Sequence, residues 1–409
     1  MESPLLSVSA SDFSDLRYFD VTPEDLTKHY DVLRRWRESR HREVHSINWF
    51  LPGFINIYGG GHYNIFRFAN MFSASWGVHN RFAIYNPAPN TDPKQIESII
   101  RRTFPGMQFE VLLKPEKSCY PEDWVPHADL AIATTWQSAY EVVRFNNTNG
   151  KYYFLQDFEP MFYPSGTLYA LAENTYRWGI PAITFGEWLR ALYVQNYNAE
   201  AQDFIPCVDT SIFKPLYEVP RRYVERIFFY ARPISERRAF ELGILVLEKL
   251  IQNHPALEIV MAGSVVVDLR RYRIPFAYKD YGSLPLEETA KLYQTCDIGL
   301  CFSMTNLSFL PLELMASGCI VVSNRGPTVE WLLRDNYNCL LAVPSPFSLA
   351  RRIEEAIAQY ELRERIFKNG LRTIQATSWD KEFERVRKYI QTGLYQNPVH
   401  LQQETRSAK

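Results

Sequence analysis

The residues of this chain best suited to chemistry lie in one segment, residues 303–324. The segment reads as a loop, a short helix beginning near Pro311, a stop at Gly318 and a buried strand over 319–323, with Glu313 in the first helical turn. A helix N-terminus attracts anions through unpaired N–H groups and a partial positive charge, and a carboxylate there can accept hydrogen bonds from sugar hydroxyls. The segment therefore predicts a nucleotide-sugar site. The simpler interpretation is that Glu313 only complements the helix dipole.

A second group of residues could neutralise a diphosphate. Arg232, Arg237 and Arg238 follow a predicted strand over 226–230. Basic side chains at the end of a parallel strand can hold phosphates, and arginine does so with bidentate geometry. A solvated helix start, with the arginines paired to neighbouring glutamates, is the alternative.

Two further groups lie in the first half of the chain. Residues 59–62 place three glycines and a histidine in a loop before a helix, where glycine lets a backbone approach a ligand or merely forms a turn. Asp157 and Glu159 follow an apolar strand, so they could orient an acceptor hydroxyl and take its proton, or cap the next helix. The residues expected on the acceptor side are Gly60, Gly61, His62, Asp157 and Glu159.

Strands alternating with helical patterns must position these groups. In the first half, strands are predicted over 44–50, 81–85, 130–134, 152–156 and 182–185. In the second half they are predicted over 226–230, 257–262, 278–282, 297–302, 319–323 and 339–343, with helices over 238–253, 285–295, 328–334 and from 348. Such alternation predicts two doubly wound α/β domains, with a cleft between them and ligands beyond the carboxyl ends of the strands.

Four parts of the chain are predicted. Residues 1–43 form a helical extension with a helix over 23–40, and residues 44–214 form an N-terminal Rossmann-like, acceptor-side domain. Residues 215–376 form a C-terminal Rossmann-like domain that binds a nucleotide sugar, and 377–395 a terminal helix. The extension is read as a helical cap on the first domain, with an acceptor or membrane-docking attachment as the alternative.

Composition excludes several classes of protein. A net charge of −1, with 45 basic and 46 acidic residues, argues against nucleic-acid binding. The six cysteines form no CxxC, and the chain has no HExxH and no Asp-x-Asp pair, so a metal-free site is expected. No apolar run reaches the roughly 18 residues of a membrane span, and no signal peptide is recognised. A cytoplasmic protein is expected, and docking at the inner membrane face stays open.

These motifs together resemble one family, the retaining GT-B glycosyltransferases of the family-4 type, and within it the WsaF-like bacterial rhamnosyltransferases. Residues 302–324 resemble the signature around the family's second conserved glutamate, and 230–233 its Gly-Arg after the first strand of the C-terminal domain. Residues 281–285 resemble its turn near the nucleobase, and 378–380 the start of a helix that crosses back to the N-terminal domain. The string YFLQDFEP at 153–160 and the glycines at 59–61 point to the WsaF-like branch.

The resemblance implies roles for particular residues. Arg232, with Arg237 or Arg238, would stabilise the departing diphosphate, and Glu313 would hold the ribose. The backbone of Ser308, Phe309 and Leu310 would contact donor sugar or phosphate, Tyr281 and Gly282 would lie near the base, and Asp157 would act on the acceptor side. One position departs from the family: Thr305 stands where the family has the first glutamate of its Glu-x7-Glu motif. A hydroxyl there suits a deoxy or differently oriented sugar.

The resemblance therefore implies transfer of L-rhamnose, with retention, from dTDP-β-L-rhamnose to a bacterial surface polysaccharide. The alternatives are a family-4 transferase that uses GDP-mannose or a UDP-hexose, a sugar-nucleotide epimerase, and a non-catalytic nucleotide-sugar-binding module. The expected partners are the nucleotide sugar and an oligo- or polysaccharide acceptor. Membership of a polysaccharide-synthesis complex and homodimer formation stay open.

Overall fold

The computed structural model describes residues 18–39, 43–54, 57, 60–116, 120–264 and 267–398. These residues form two compact units. Unit 1 contains the described residues up to Phe204 together with Glu382–Pro398, and unit 2 contains those of Ile205–Lys381.

Each unit is built around one parallel sheet. Unit 1 has a seven-stranded sheet of order β3-β2-β1-β4-β5-β6-β7, and unit 2 a six-stranded sheet of order β10-β9-β8-β11-β12-β13. The strands in chain order, β1–β13, are Ser46–Pro52, His79–Asn86, Phe109–Leu113, Ala128–Ala133, Thr148–Leu155, Ala182–Phe185, Ala201–Phe204, Arg226–Tyr230, Glu258–Ala262, Lys279–Asp280, Ile298–Leu300, Ile320–Asn324 and Leu340–Ala342. Every neighbouring pair is parallel, and the prediction of two doubly wound α/β sheets is confirmed.

Helices connect the strands. In chain order, α1–α13 are Pro23–Glu38, Gly60–Trp76, Pro93–Thr103, Trp136–Arg144, Thr167–Asn174, Glu187–Tyr197, Phe240–Asn253, Leu286–Gln294, Leu310–Ala316, Pro327–Glu330, Pro346–Ala358, Tyr360–Gln375 and Trp379–Thr392. None of the helices in the described part of the chain is long and apolar enough to cross a membrane.

The first described helix packs onto unit 1. Thr22 caps α1 in a reciprocal capping box with Asp25, and Pro23 follows in the first turn, so the local sequence sets the start of the helix. Trp36 on its inner face is buried, and its indole N–H donates to the Tyr152 hydroxyl on β5 over 3.1 Å. Helix α1 therefore packs against the sheet of unit 1. Residues 1–17 and 40–42 lie outside the described residues.

Two strands of unit 1, β3 and β7, were not predicted. The edge strand β7 reads Ala-Gln-Asp-Phe, and its two polar residues hide the strand pattern. Gln202 and the backbone of Gln396 exchange two hydrogen bonds of 2.7 and 3.1 Å, while Asp203 pairs with Arg385 of α13 at 3.1 Å. The polar residues of β7 are therefore buried because the chain's last described segment satisfies them.

Unit 2 follows the predicted order closely. Helix α7 begins two residues later than predicted, because residues 236–238 form a 3₁₀ turn and Ala239 is left-handed at φ 46°. Gly318 ends α9 with a φ of +93°, a conformation that glycine adopts without the steric cost of a Cβ. The chain then turns directly into β12, so α9 stays short. The first turn of α9 follows the loop that leaves the carboxyl end of β11.

Candidate functional site

The site predicted for the donor lies at the carboxyl edge of the unit 2 sheet. There the strand order reverses, because β8 lies between β9 and β11. Loops leaving such a switch point on opposite faces open a crevice in which α/β proteins bind ligands. The loops after β8 and β11 carry Arg232 and the 303–310 segment respectively.

Arg232 is held beside the end of β8. Its Nη1 donates to the Tyr230 hydroxyl over 3.0 Å, while its buried Nε has no hydrogen-bond partner among the described residues. Gly263, after β9, has a φ of +111°, and a Cβ there would lie 2.6 Å from the Tyr230 ring. Only glycine fits this space. Its N–H donates to the Gly282 carbonyl over 2.7 Å, which brings Tyr281 and Gly282 to the same edge.

Hydrogen bonds to neighbouring segments fix the loop after β11. The Asn324 side chain accepts from the Ser303 N–H over 2.8 Å and donates to the Ser303 carbonyl over 3.0 Å. Arg238 donates to the Ser303 hydroxyl over 2.7 Å, and the Met304 N–H donates to the Arg237 carbonyl over 3.0 Å. The segment of the three arginines and the 303–310 loop are thus joined directly.

The loop then buries Thr305, which is 2 % exposed, and reaches α9 through Ser308 and Phe309, which are both partly exposed. Leu310 begins the helix and is buried, so its side chain belongs to the core. Any ligand contact from Leu310 would come from its backbone, as the sequence predicted.

Glu313 lies in the first turn of α9, as predicted. Its side chain is mostly buried, and its carboxylate has no hydrogen-bond or ion-pair partner among the residues that the structure describes. Loss of hydration raises the pKa of Glu313 from its ordinary 4.5 to about 7. A desolvated carboxyl group without a protein partner is well suited to accept hydrogen bonds from ligand hydroxyls.

The sequence missed several residues that build this site. The loops after β8, β9 and β11 are held in place by contacts of Tyr230, Gly263, Ser303 and Asn324. All four stand at or just after the carboxyl end of a strand, so strand boundaries could have indicated them. Their pairing could not be read from the sequence because it depends on contacts between distant segments.

On the acceptor side, the glycine motif is placed differently from the prediction. Gly60, Gly61 and His62 form the first turn of α2 rather than a loop before it, and Gly59 lies outside the described residues. The N–H groups of the first helical turn make no i→i−4 hydrogen bonds, and glycine is tolerated at the start of a helix.

Gln156, after β5, donates to the Gly61 carbonyl over 3.0 Å and accepts from the Asn64 amide over 3.1 Å. Asn64 is 1 % exposed, and its Oδ1 has no partner in the described structure. Burial lowers the pKa of His62 to about 4, so its imidazole is neutral near pH 7. The structure therefore brings the glycine motif and the strand end before Asp157 together.

Asp157 and Glu159 both make local structural contacts. The Asp157 carboxylate accepts from the Phe158 N–H over 2.9 Å, and the Tyr176 hydroxyl donates to the Asp157 carbonyl over 2.9 Å. The Glu159 carboxylate accepts from the backbone N–H of Trp136, the first residue of α4. Glu159 thus caps a helix, though the one after β4 rather than the one that follows Glu159 in the chain.

The described ranges also bear on metal binding. No group of three or more His, Cys, Asp or Glu side chains there is arranged to hold a metal ion. The five described cysteines are buried free thiols, and Cys119 lies outside the described residues.

Comparison with known protein families matches both halves of the chain. The model "WsaF, C-terminal domain" matches residues 225–354, and "WsaF, N-terminal domain" matches residues 120–186. The chain is WsaF-like. The C-terminal match contains every residue of the predicted donor site, and the N-terminal match contains Asp157 and Glu159 but not the glycine motif.

Two curated relatives agree with this assignment. The O-antigen biosynthesis protein RfbC of Myxococcus xanthus is 40% identical over 357 residues, which cover 86% of this chain and 27% of the relative. The putative glycosyltransferase YtcC of Bacillus subtilis (strain 168) is 26% identical over 233 residues, 47% of this chain and 55% of the relative. The WsaF-like chain thus spans about a quarter and about half of the length of these two relatives.

Solved structures show the fold. Anabaena Alr3699/HepE, determined in complex with UDP and glucose, superimposes with a TM-score of 0.67 at 13% identity, covering 86% of this chain and all (100%) of that one. With the two parallel sheets, this similarity confirms the predicted GT-B fold of this WsaF-like chain. The identity is too low to carry ligand or mechanism from one protein to the other.

Proposed function

We propose that this chain is a glycosyltransferase of O-antigen or related polysaccharide biosynthesis, which moves a sugar from a nucleoside diphosphate to a saccharide acceptor. The observation that carries the proposal is that an unpartnered carboxyl group and several arginines lie at the same sheet edge. Within the described ranges, the Glu313 carboxylate has no partner, and Arg232 keeps a buried N–H without an acceptor. A nucleotide sugar offers hydroxyls to the first and phosphate oxygens to the second.

In this proposal the donor lies along the carboxyl edge of the unit 2 sheet. Glu313 accepts from the ribose hydroxyls, and Arg232 with Arg237 or Arg238 neutralises the charge that develops on the leaving diphosphate. Fixed positive groups in a water-poor site can stabilise such charge by about 3–4 kcal/mol per hydrogen-bond donor. No metal is needed in this scheme, because the arginines carry the leaving-group charge.

The donor proposed is dTDP-β-L-rhamnose, transferred with retention of configuration. Two features support this choice: the match to both WsaF domain models, and Thr305, whose buried hydroxyl replaces a carboxylate of the resembled motif. On the acceptor side, the proposed contacts are the first turn of α2, neutral His62 and the carboxylate of Asp157. The cytoplasmic location expected from the sequence stays a prediction.

The first experiment is a thermal-shift panel with dTDP, UDP and GDP. A nucleotide at about 100 times its Kd stabilises the folded chain by about 2.7 kcal/mol, so the correct one raises the melting temperature by several degrees. A response to UDP or GDP but not to dTDP overturns the rhamnose donor and favours a UDP-hexose or GDP-mannose enzyme.

The second experiment measures transfer from dTDP-rhamnose to a rhamnosyl acceptor, with the product's anomeric configuration read by NMR. We expect Glu313→Ala and Arg232→Ala to lose transfer and remain folded. Full activity in both variants contradicts the site assignment. Nucleotide binding without any turnover favours the non-catalytic module, and conversion of the donor without an acceptor favours an epimerase.

A further inference from the structure

A basic turn of unit 2 lies next to the segment of the donor-site arginines, and its own residues are not part of the predicted donor site. Between β9 and β10 the chain forms a short 3₁₀ turn, Leu269–Tyr272, followed by Arg273. The sequence here is Leu-Arg-Arg-Tyr-Arg, and all of these residues except Leu269 are exposed. Leu269 is 1 % exposed and anchors the turn in the core.

The turn packs next to the segment of the donor-site arginines. The ring of Tyr272 meets the ring of Phe240 edge to face, with centroids 5.1 Å apart. Phe240 is the first residue of α7 and follows the 236–238 turn that carries Arg237 and Arg238. The 268–273 turn thus adjoins segment 232–241, and the exposed and partly exposed residues of the two segments are here called the arginine face.

The arginine face carries a charge opposite to that of the rest of the chain. It contains six arginines, three of which belong to the predicted donor site, and three carboxylates, which gives a net charge of +3 in a chain whose total is −1. Arg270 is neutralised locally, since its Nε donates to both oxygens of Asp268 over 2.9 and 3.0 Å. The backbone N–H groups of Arg271 and Arg273 donate within the turn, but their guanidinium groups have no hydrogen-bond or ion-pair partner among the described residues, so these charges are available to an external partner.

Two large apolar side chains of these segments are also exposed. Ile234 is 42 % exposed and Tyr272 is 41 % exposed, although both are large and hydrophobic. A surface that offers arginine, an aliphatic group and tyrosine together matches the interface of an anionic bilayer, where basic heads meet lipid phosphates and apolar groups enter the headgroup boundary. A purely polar polyanion would leave the apolar groups without a partner.

We propose that the arginine face docks this chain onto an anionic lipid bilayer, with Arg271 and Arg273 on the lipid headgroups and Ile234 and Tyr272 at the headgroup boundary. The proposal does not depend on sugar transfer. Each arginine near such a surface contributes about 1 kcal/mol, or roughly fivefold in partitioning. Two unpaired arginines therefore give weak, reversible docking that salt weakens.

The test is co-sedimentation of the full chain with vesicles made of equal parts phosphatidylglycerol and phosphatidylcholine. The double variant Arg271→Gln, Arg273→Asn should bind roughly 25-fold more weakly. Asparagine is chosen at 273 because that residue is left-handed at φ 47°, which asparagine tolerates well. The matched control is Arg365→Gln, an exposed arginine of α12 in the same unit, which should bind as the parent chain does.

Further arms separate the sources of binding. Ile234→Ser should lower the binding that remains at about 0.5 M salt, where charge is screened. All variants should keep the nucleotide-induced thermal shift of the parent chain, which shows that the donor site is intact. Equal binding to pure phosphatidylcholine, undiminished binding of the double variant, or tighter binding to soluble polyphosphate than to vesicles would each overturn the proposal.

Discussion

Replacing Glu313 by glutamine should stabilise the protein, and the gain should depend on pH. The pKa of the folded-state carboxyl group is about 7, against 4.5 for an ordinary glutamate. One pKa unit corresponds to about 1.4 kcal/mol, so ionising Glu313 costs the folded state at most about 3–4 kcal/mol. Since the side chain keeps some exposure, about 2 kcal/mol is the more realistic figure.

The sign follows from the raised pKa. Below pH 4.5 the group is protonated in both folded and unfolded chains and costs nothing. As the pH rises from 4.5 to about 7, the unfolded chain gains from ionisation and the folded chain does not, so the stability contributed by the neutral form is lost across this range and stays lost above it. Glu313→Gln removes this loss. The variant should match the parent chain near pH 4.5 and exceed it at pH 8.5.

The assay is a pair of thermal melts across this pH range, with and without nucleotide. For a unit of this size, about 2 kcal/mol corresponds to roughly 4–8 °C in melting temperature. Because a chain of two units need not unfold in one step, the transition read is the one that nucleotide shifts. The same variant should show a smaller nucleotide-induced shift, since it loses the charged acceptor for the ligand hydroxyls.

The matched control is Glu287→Gln, an exposed first-turn glutamate of α8 that should leave the melt unchanged at every pH. If the glutamine variant of Glu313 gains equally at pH 5 and pH 8.5, or not at all, the carboxylate is not desolvated as described. If its gain has the expected pH dependence but nucleotide binding is unaffected, Glu313 is buried and strained without contacting the ligand.

Three other substitutions test the fold around the sites. Gly263→Ala should abolish the nucleotide-induced thermal shift while unit 1 stays folded by circular dichroism. A Cβ at this position would lie 2.6 Å from the Tyr230 ring, so it must displace both that ring and Arg232. An unchanged thermal shift would refute the placement of Tyr230 and Arg232. Glu159→Ala should lower the free energy of unfolding by about 1 kcal/mol in denaturant titration, since the Trp136 N–H at the start of α4 loses its acceptor; no change would mean that water replaces the cap at no cost. Trp36→Ala should cost about 3–5 kcal/mol, because α1 loses its buried anchor on β5, and retention of parental stability would contradict the packing of α1 as a cap.

Much of the fold could be predicted because parallel α/β sheets repeat a simple pattern. A buried apolar run, a turn and an amphipathic helix recur along the chain, and β6 and β8 have the bounds that the pattern predicts. The pattern failed at β7, where Gln202 and Asp203 interrupt it. Those residues are satisfied by segments near the end of the chain, and no local rule can anticipate partners about 180–190 residues away.

The position of the candidate donor-site residues at one sheet edge could be predicted to a similar degree. Parallel strands place their carboxyl ends at one edge, so residues after β8 and β11 had to share that edge. The contacts that hold these loops in place could not be predicted from the sequence. Asn324 clamps Ser303, and Gly263 makes room for Tyr230, through contacts that depend on how neighbouring strands are ordered in the sheet.

Glu159 and Glu313 show why a residue type alone does not decide its role. In the sequence each is a glutamate in the segment that follows an apolar strand, and each could serve a ligand or a helix. The neighbouring positions of β4 and β5 in the sheet bring Glu159 to the first N–H of α4, and that bond satisfies part of its acceptor capacity. Glu313 is carried by α9 into a desolvated position where no described residue bonds to its carboxylate. An unmet acceptor in a desolvated position costs the folded chain stability until a ligand provides donors. The presence of a carboxylate is therefore not enough to indicate a binding residue, whereas its lack of a protein partner is.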